Sequence, residues 1–580
     1  MNPEPRLLRL APYAVLLALT ASAFLAGVHV PYRVDTDTGF QLRSVQQWVR
    51  GESPTPGTLR LPDPRDLSRD GFVWSSFWPP GFPFLYAPLA AAGLSLAAAL
   101  RATSLLFFLA GALGWLRLAR RLDLPPWIGV LYAASLAGYA ATLGGAASLR
   151  TADILAFTAG PWLIALALKL SEPAVSPARL VLGGVALGAS YWLKYSLFLT
   201  ALALVAWIAL GAARNAPGKR DAIMRLTALA LGFAMPVAAL FALNLAQSAS
   251  VSESVSGTRA EWEMEDTVSP RPARLAAGLA GAPGLALFQS HLWLTHLTFF
   301  SDRTLPLFRG LSDPDRLLAK CLLAIPGTLV LAWGLARAWR QRPCRITALA
   351  ALLPIGFYLI LTVVSALIGY NYLGNEPRLA VGFMPFTQLV ALSGWLAGGG
   401  EYGRRSWVAV AAFSLFFAAP LVFAVANFAR NEVLDRTAIP YAAPPTGLYV
   451  PELSPRDVPE VQAAVASALT TPGDVVLLAG PAGWGSSFVM WLDTPGRVLP
   501  VSTFFLPLGG LYMDAANLRA ARPLRTSRDL RVVLVVAESL TANGWLPQLE
   551  ARFPQAGAWH RVPEPDHARV AIWWSDLEVP

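Results

Sequence analysis

Long apolar runs separated by short basic clusters set the character of this chain. A helix rises about 1.5 Å per residue, so some 20 apolar residues cross a hydrocarbon core of about 30 Å. About eleven such spans can be placed, near 8–30, 96–119, 126–145, 151–170, 179–193, 196–213, 223–246, 317–339, 347–370, 379–398 and 407–427. The clusters between alternate spans are Arg117, Arg120 and Arg121; Arg214, Lys219 and Arg220; Arg337, Arg340, Arg342 and Arg345; and Arg404 and Arg405. All fall on the same side as Arg6 and Arg9, which the positive-inside rule makes cytoplasmic. The expected topology is multi-pass in the inner (plasma) membrane, with the N-terminus cytoplasmic and the C-terminus extracytoplasmic. The first run contains Ala21-Ser22-Ala23, a signal-peptide-like triplet, but its apolar stretch continues to Val30 and reads as an uncleaved anchor.

Two stretches are too long to be simple connections, 31–95 and 247–316, and both fall on the external side. The second carries SESVSGTRAEWEMEDTVSPRP and then an apolar piece broken by Gly281, Pro283 and Gly284, which reads as a surface-lying or re-entrant segment. After Asn427 the pattern changes. VPEVQAAVASAL, DAANLRAAR and LPQLEARF have helical spacing, whereas GDVVLLAG, RVLPVS, RVVLVVAES and RVAIWW read as strands. The expected fold is therefore a polytopic α-helical membrane protein of about eleven transmembrane helices with a small C-terminal extracytoplasmic α/β domain. Residues 1–430 form the membrane domain and 431–580 the soluble one. The turn GPAGWG, Gly480 to Gly485, lacks the Lys-Ser/Thr ending of a phosphate loop and reads as a strand-to-helix turn.

Composition excludes a soluble class, since 55% of the 580 residues are hydrophobic and 14% charged. The net charge of +10 would suit nucleic acid, but the basic residues are dispersed in short clusters at the ends of apolar runs, where they orient helices. Cys321 lies in an apolar run and Cys344 in a basic loop, and the pair says little about compartment.

The candidate chemistry begins in DTDTGFQLRSVQQWVRG, Asp35 to Gly51, just past the first span. Asp37 opens an amphipathic stretch through Phe40, Val45, Trp48 and Val49 that stops at Gly51. An Asp in that place either caps the helix or does chemistry at the bilayer surface. The spacing from Asp37 to Gly51, followed by WPPGFPFLYAPL (Trp78 to Leu89) and an Ala/Leu-rich span ending in Arg-Arg, resembles the GT-C superfamily of polyprenyl-phosphate-sugar-dependent glycosyltransferases. It looks like the bacterial branch related to protein mannosyltransferases and aminoarabinose transferases. Three further segments agree in order: SLRTADILAF (Ser148 to Phe157), LGASYWLKYSLF (Leu187 to Phe198) and NEPRLAVGFMPF (Asn375 to Phe386). Together the matches cover spans one to ten.

This resemblance implies a GT-C-like fold and transfer of a sugar from a polyprenyl-phosphate donor to an acceptor on the outer face. The family's loop acid falls on Asp37, with Asp35 beside it and Asp153 as a second acidic position. Many relatives carry an acid directly after the loop Asp, whereas this chain has Thr38, so the choice between Asp35 and Asp37 stays open. Transfer to a hydroxyl or amine needs a base for the acceptor's proton and stabilisation of the phosphate leaving group. Asp37 fits the first need. Lys194 and Arg378, at external span ends, and Arg150, three residues before Asp153, fit the second. The plainer reading makes Lys194 and Arg378 snorkelling side chains and Arg150 with Asp153 a structural pair.

Trp78 and Tyr86 lie in a proline-stiffened aromatic stretch suited to an apolar groove for the carrier, or to an interfacial belt. Tyr372 and Glu376 are lesser candidates for sugar contacts. Metal dependence is open: a divalent cation would draw on Asp37, Glu52, His291 or His296, although the two histidines, five residues apart, do not share one helical face. The expected partners are the polyprenyl-phosphate-sugar donor, an extracytoplasmic lipid, glycan or protein acceptor and the bilayer, with no nucleic acid. The expected activity is an inverting glycosyltransferase of the cell envelope, hexosyl or pentosyl. The alternatives are a membrane transporter or lipid flippase, and an O-antigen polymerase or ligase.

Overall fold

The hydrophobic runs of the N-terminal half fold into helices that follow their apolar lengths closely. The computed structural model describes residues 6–28, 32–33, 36–63, 66–74, 79–134, 153–173, 175–247, 332–341, 347–353, 356, 382, 384–396, 448–449, 457–480, 494, 496–502, 523–537, 547, 550–563 and 570–579. In chain order the first elements are α1 (Arg6–Val28), β1 (Tyr32–Arg33), α2 (Thr36–Val49), β2 (Thr58–Asp63), β3 (Asp66–Trp74), α3 (Gly81–Ala91) and α4 (Leu96–Arg121). They are followed by α5 (126–134), α6 (Asp153–Leu170), α7 (Pro177–Leu193), α8 (Tyr195–Arg214) and α9 (Lys219–Gln247). Helical stretches at 332–340 (α10) and 347–353 (α11) and α12 (Met384–Leu396) complete the described helical body.

The spans expected at 96–119, 179–193, 196–213 and 223–246 each coincide with a helix to within four residues at either end. Among the described residues three helical segments are long and apolar enough to cross a membrane: Leu96–Arg121, Leu197–Arg214 and Lys219–Ala246. The last of these shows its outside plainly. Ile223, Met224, Leu231, Met235, Phe241 and Leu245 are exposed and form one apolar face along α9, as a lipid-facing helix requires. The expected span at 407–427 lies outside the described residues.

Helices α7 and α9 pack backbone to backbone. A Cβ on Gly188 would stand 2.3 Å from the Phe233 carbonyl oxygen, and one on Gly232 would stand 2.3 Å from that of Val181. Only glycine allows the two backbones so near, and in lipid such close van der Waals packing is what holds helices together. Trp115, Phe82, Phe157, Tyr132 and Phe386 are fully buried and fill the helical core.

The stretch expected as a long first loop is ordered into α2, the antiparallel β2–β3 hairpin and α3. Gly51 ends α2 with φ +73°. Its N–H bonds the Trp48 carbonyl at 2.9 Å and the Glu52 N–H bonds that of Gln47 at 2.8 Å, a Schellman closure. Alternation along β2 buries Leu59 and Leu61 and turns Arg60 outward.

The C-terminal region holds β4 (Leu448–Tyr449), α13 (Asp457–Ala468), β5 (Val475–Gly480), β6 (Arg497–Ser502), β7 (Leu530–Ala537), β8 (His560–Arg561) and β9 (Val570–Leu577). Five strands form one sheet in the order β6-β5-β7-β9-β8, with β5 parallel to β6 and β7, and β9 antiparallel to β7. Val475 to Ala479 are all buried, the unbroken apolar run of a strand covered on both faces. The helix expected at DAANLRAAR and the turn after Gly480 lie outside the described residues.

The hairpin and the sheet share one core. Phe40 of α2 with Leu59, Leu61 and Leu67 of the hairpin join Val458, Val461, Val475, Leu477 and Leu499 in a single buried cluster. Meanwhile Leu42 and Val45, from other faces of α2, belong to the core of the helical body. Helix α2 is therefore wedged between two packed bodies, and β1 pairs parallel with β4 on the same connection.

Candidate functional site

Asp37 stands in the first turn of α2, the helix held between the two cores. The α2 helix packs on α3, and α3 packs in turn on α7. That second contact is intimate: a Cβ on Gly81, the first residue of α3, would lie 2.4 Å from the Trp192 carbonyl oxygen and 3.1 Å from Leu193 Cα. The very next residue is Lys194.

Lys194 occupies a break in the chain's helical path. It is extended at φ −160° and ψ 133°, closing α7 and opening α8. Its N–H reaches the Ser190 carbonyl at 3.2 Å, and its own carbonyl accepts from the Leu197 N–H at 3.0 Å. The side chain is half-buried. Beside it Tyr195 hydrogen-bonds Asn244, and the Asn244 side-chain oxygen accepts the Trp74 indole N–H at 2.8 Å. The first-loop hairpin, the end of α9 and the α7–α8 break are thus fastened by buried hydrogen bonds. Tyr191 lies 5.0 Å from both the Tyr195 and Phe198 rings, an aromatic lining on the same turn.

A second feature opens between α2, the hairpin and the sheet. Arg43, Gln47, Arg50, Glu52, Arg60, Pro62, Asp70, Pro472, Thr494, Gly496, Arg497 and Val498 line a cleft of about 290 Å³. Arg43, Gln47 and Arg50 share a helical face by their spacings of four and three. The Gln47 amide accepts from the Arg60 N–H and donates to the Arg60 carbonyl, both at 2.8 Å, which fixes β2 against α2. Asp70 holds two guanidinium groups: Arg60 through Nε at 2.8 Å and Nη2 at 2.6 Å, and Arg497 through Nη1 at 2.5 Å. Arg497 also donates to the Leu67 carbonyl and, at 3.2 Å, to that of Gly473.

Two carboxylates are held low here, Asp66 at the junction with the hairpin and Asp474 within the C-terminal region. Burial raises the Asp66 carboxyl, but hydrogen bonds from Ser68 and Ser527 outweigh it and hold the pKa at about 2. Asp474 is likewise below the ordinary carboxylate range; its burial is outweighed by N–H and hydroxyl donors from Thr470 and Thr471 and the Arg531 N–H.

Several expected site residues fall where the structure gives no account. Asp35, Trp78, Arg150, His291, His296, Tyr372, Glu376 and Arg378 lie outside the described residues. Asp37 and Asp153 are placed by backbone alone, in the first turn of α2 and at the first residue of α6. Tyr86, expected on a groove wall, is instead fully buried within α3 against Phe82, at 5.2 Å between ring centroids. The helix turns that residue into the core, because Phe82, Tyr86 and Ala90 recur every four residues on its packed face. Glu52, weighed as a metal ligand, lines the arginine cleft. Among the described residues no three His, Cys, Asp or Glu side chains come together in the manner of a metal site.

Sequence reasoning passed over Trp74, Asn244 and the four cleft arginines. The helical spacing of Arg43, Gln47 and Arg50 was a local signal for one wall of the cleft. Nothing local announces Arg497, which meets Asp70 from 427 positions away.

No protein-family model matches the chain, and no curated protein matches it. Among solved structures it is similar to ArnT from Cupriavidus metallidurans bound to undecaprenyl phosphate, at 14% identity and a TM-score of 0.46, covering 98% of this chain and 99% of that one. The apo state of the same protein gives 15% identity and a TM-score of 0.45, over 98% of each chain. Arabinofuranosyltransferase AftD from mycobacteria, in a mutant form, gives 15% identity and a TM-score of 0.45; it covers all of this chain, which spans about 42% of that one.

Proposed function

We propose that this protein is a membrane glycosyltransferase that moves a monosaccharide from a polyprenyl-phosphate carrier to an acceptor on the extracytoplasmic side, with inversion. The reading is carried by the packing path from α2, with Asp37 in its first turn, through α3 to the Lys194 break. That path brings the elements bearing the proposed base and the proposed phosphate contact into one buried assembly.

In this reading the acceptor's oxygen or nitrogen attacks the anomeric carbon, the bond from that carbon to the carrier's phosphate oxygen breaks, and the acceptor's proton passes to the Asp37 carboxylate. The polyprenyl phosphate departs as an anion. Lys194 meets its charge, with Arg150 and Arg378 as further cationic contacts, and Asp35 and Asp153 support the acidic end. No enzyme nucleophile is required for a single displacement. The topology that goes with it places the N-terminus in the cytoplasm and the sheet of residues 475–577 outside the inner membrane, where it positions the acceptor.

Purified full-length protein given a radiolabelled polyprenyl-phosphate sugar should release or transfer the label. Asp37→Asn should lower turnover by roughly 10²-fold or more, the usual scale for loss of a general base. Full turnover in both Asp37→Asn and Asp35→Asn would overturn the assignment. Movement of the carrier across vesicles without cleavage of its sugar would support a flippase instead.

A further inference from the structure

Helix α3 carries no charged residue. Phe82, Tyr86 and Ala90 turn inward, and the other side, with Phe84 at 45% and Leu85 at 39% exposure, is apolar as well. A surface helix in water shows polar residues outward, so this outer face is suited to lipid. The two ends of α3 fix where it lies. Gly81 abuts the backbone of Trp192 and Leu193 at the end of α7. Five residues past Ala91 the chain enters α4, one of the segments long enough to cross a membrane. Eleven residues rise only about 16 Å, half of a hydrocarbon core, so α3 runs along one boundary of the bilayer from the end of α7 to the start of α4.

The β2–β3 hairpin continues this surface. Trp74, at the end of β3, donates its indole N–H to Asn244 in the last turn of α9. Tyr195, just past α7, bonds the same Asn244, so β3 meets the helical body at the level where α7 and α9 both end. A Cβ on Gly57 would stand 2.9 Å from the Trp74 ring and 3.6 Å from that of Phe84, which sets the outer side of α3 beside the hairpin. Phe72 lies two residues back on the same strand face as Trp74, about 7 Å along the strand. It is 61% exposed, whereas the opposite face of the hairpin buries Leu59 and Leu61 in the core shared with the sheet. Across from Phe72 stands Arg60, paired with Asp70 at 2.6 Å, so the apolar part of the face ends at Phe72.

Single exposed apolar side chains are ordinary on a protein surface, but Phe72, Phe84 and Leu85 stand together where membrane helices end. Apolar and aromatic side chains at that depth enter the boundary between headgroups and acyl chains. We propose that the β2–β3 hairpin is a membrane-contacting element, with Phe72 extending the lipid-facing side of α3 along the bilayer boundary. Because the hairpin shares its core with the C-terminal strands, this contact seats the five-stranded sheet on the membrane surface.

Spin-label accessibility in lipid nanodiscs tests this on the full chain, after its two cysteines, Cys321 and Cys344, are replaced by alanine. One label is carried at a time, by Phe72→Cys, by Leu231→Cys on the exposed face of α9 as the hydrocarbon reference, or by Glu460→Cys on exposed α13 as the aqueous one. Collision with oxygen, which concentrates in the bilayer, is compared with collision with a water-soluble nickel chelate. The oxygen-to-nickel ratio at position 72 should exceed that at 460 severalfold and lie toward that at 231. A ratio at 72 equal to that at 460 overturns the proposal, as does a label shielded from both reagents, since protein then covers the site. The unaltered chain gives a second reading that needs no variant. A phospholipid with a diazirine near the top of its acyl chain should label both Phe72 and Leu85 on irradiation. Label at Leu85 without label at Phe72 overturns the role of the hairpin, and label at neither overturns the lipid placement of α3 with it. Neither measurement reads sugar transfer, so its outcome stands apart from that of the proposed activity.

Discussion

Arg497 of β6 reaches across to Asp70 of β3, Nη1 to Oδ1 at 2.5 Å, and joins the C-terminal sheet to the first-loop hairpin. Both side chains are largely buried, at 17% and 14% exposure. Asp70→Ala would leave Arg497 a buried charge without its counter-ion, a loss of about 3 kcal/mol or somewhat less given the solvent that remains. Arg60→Ala, at the exposed end of the same triad, should cost under about 1 kcal/mol. Thermal unfolding should separate the two variants in that order, and tryptic cleavage at exposed Arg69 should quicken in Asp70→Ala alone. Equal melting temperatures would show that the clamp adds nothing.

The same junction should fail in acid. The Asp66 carboxyl, ordinarily near 3.8, is held at about 2 where it accepts from Ser68 and Ser527. A carboxylate whose pKa is lower in the folded state stabilises above its unfolded value, and that stabilisation disappears as pH falls through the folded one. Asp474 is shifted in the same direction and acts with the same sign. The melting temperature should therefore show no contribution from these groups to pH dependence between pH 7 and about 5, and a progressive loss from about pH 4 to pH 2. Asp66→Asn should start lower at neutral pH and lose less across that window. A wild-type curve that stays flat to pH 2 would remove both carboxylates from the account.

Trp74 and Asn244 supply a third test. The indole N–H and the side-chain oxygen are both buried and meet at 2.8 Å. Trp74→Phe keeps an aromatic ring but deletes the donor, which should cost about 1–3 kcal/mol as the Asn244 oxygen loses that partner in an apolar setting. If Trp74 also steadies the α7–α8 break through Asn244 and Tyr195, label transfer should fall with stability restored by lower temperature. Stability loss with full transfer at low temperature would confine the bond to folding.

How far the sequence could foretell this arrangement depended on the range of the interactions. Helices α4, α7, α8 and α9 follow from apolar runs whose length and flanking arginines are local facts. The parallel strands β5 and β7 likewise announce themselves as short β-branched runs. Gly51 stopped α2 where its left-handed backbone was needed. The hairpin was hidden, because TLRLPD and DLSRDGFVW carry charges on the outward face and a proline, which resemble loop composition. What made them strands was the sheet's core accepting Leu59, Leu61 and Leu67, a partner almost 400 residues away or more. The candidate acid was legible as the start of an amphipathic helix. The arginine cleft was not, since its walls come from three separate stretches of chain.

Gly81 links fold to proposed chemistry most directly. It starts α3 against the backbone of Trp192 and Leu193, one residue before the extended Lys194. Gly81→Ala would place its methyl 2.4 Å from the Trp192 carbonyl oxygen, so either α3 retreats or the α7–α8 break shifts. Backbone has no rotamer by which to move aside, and overpacking of this kind typically costs about 1–3 kcal/mol. Gly93 offers no such contact but sits at φ +92°, so Gly93→Ala tests backbone strain without crowding. If the Lys194 turn holds the carrier's phosphate, Gly81→Ala should lose roughly tenfold or more in label transfer at a temperature where both variants are folded, the cost of misplacing a contact by about an ångström. Gly93→Ala should keep its transfer rate. Equal rates in the two would mean that the α3–α7 contact is structural only, and would remove the packing path on which the proposed role of Lys194 rests.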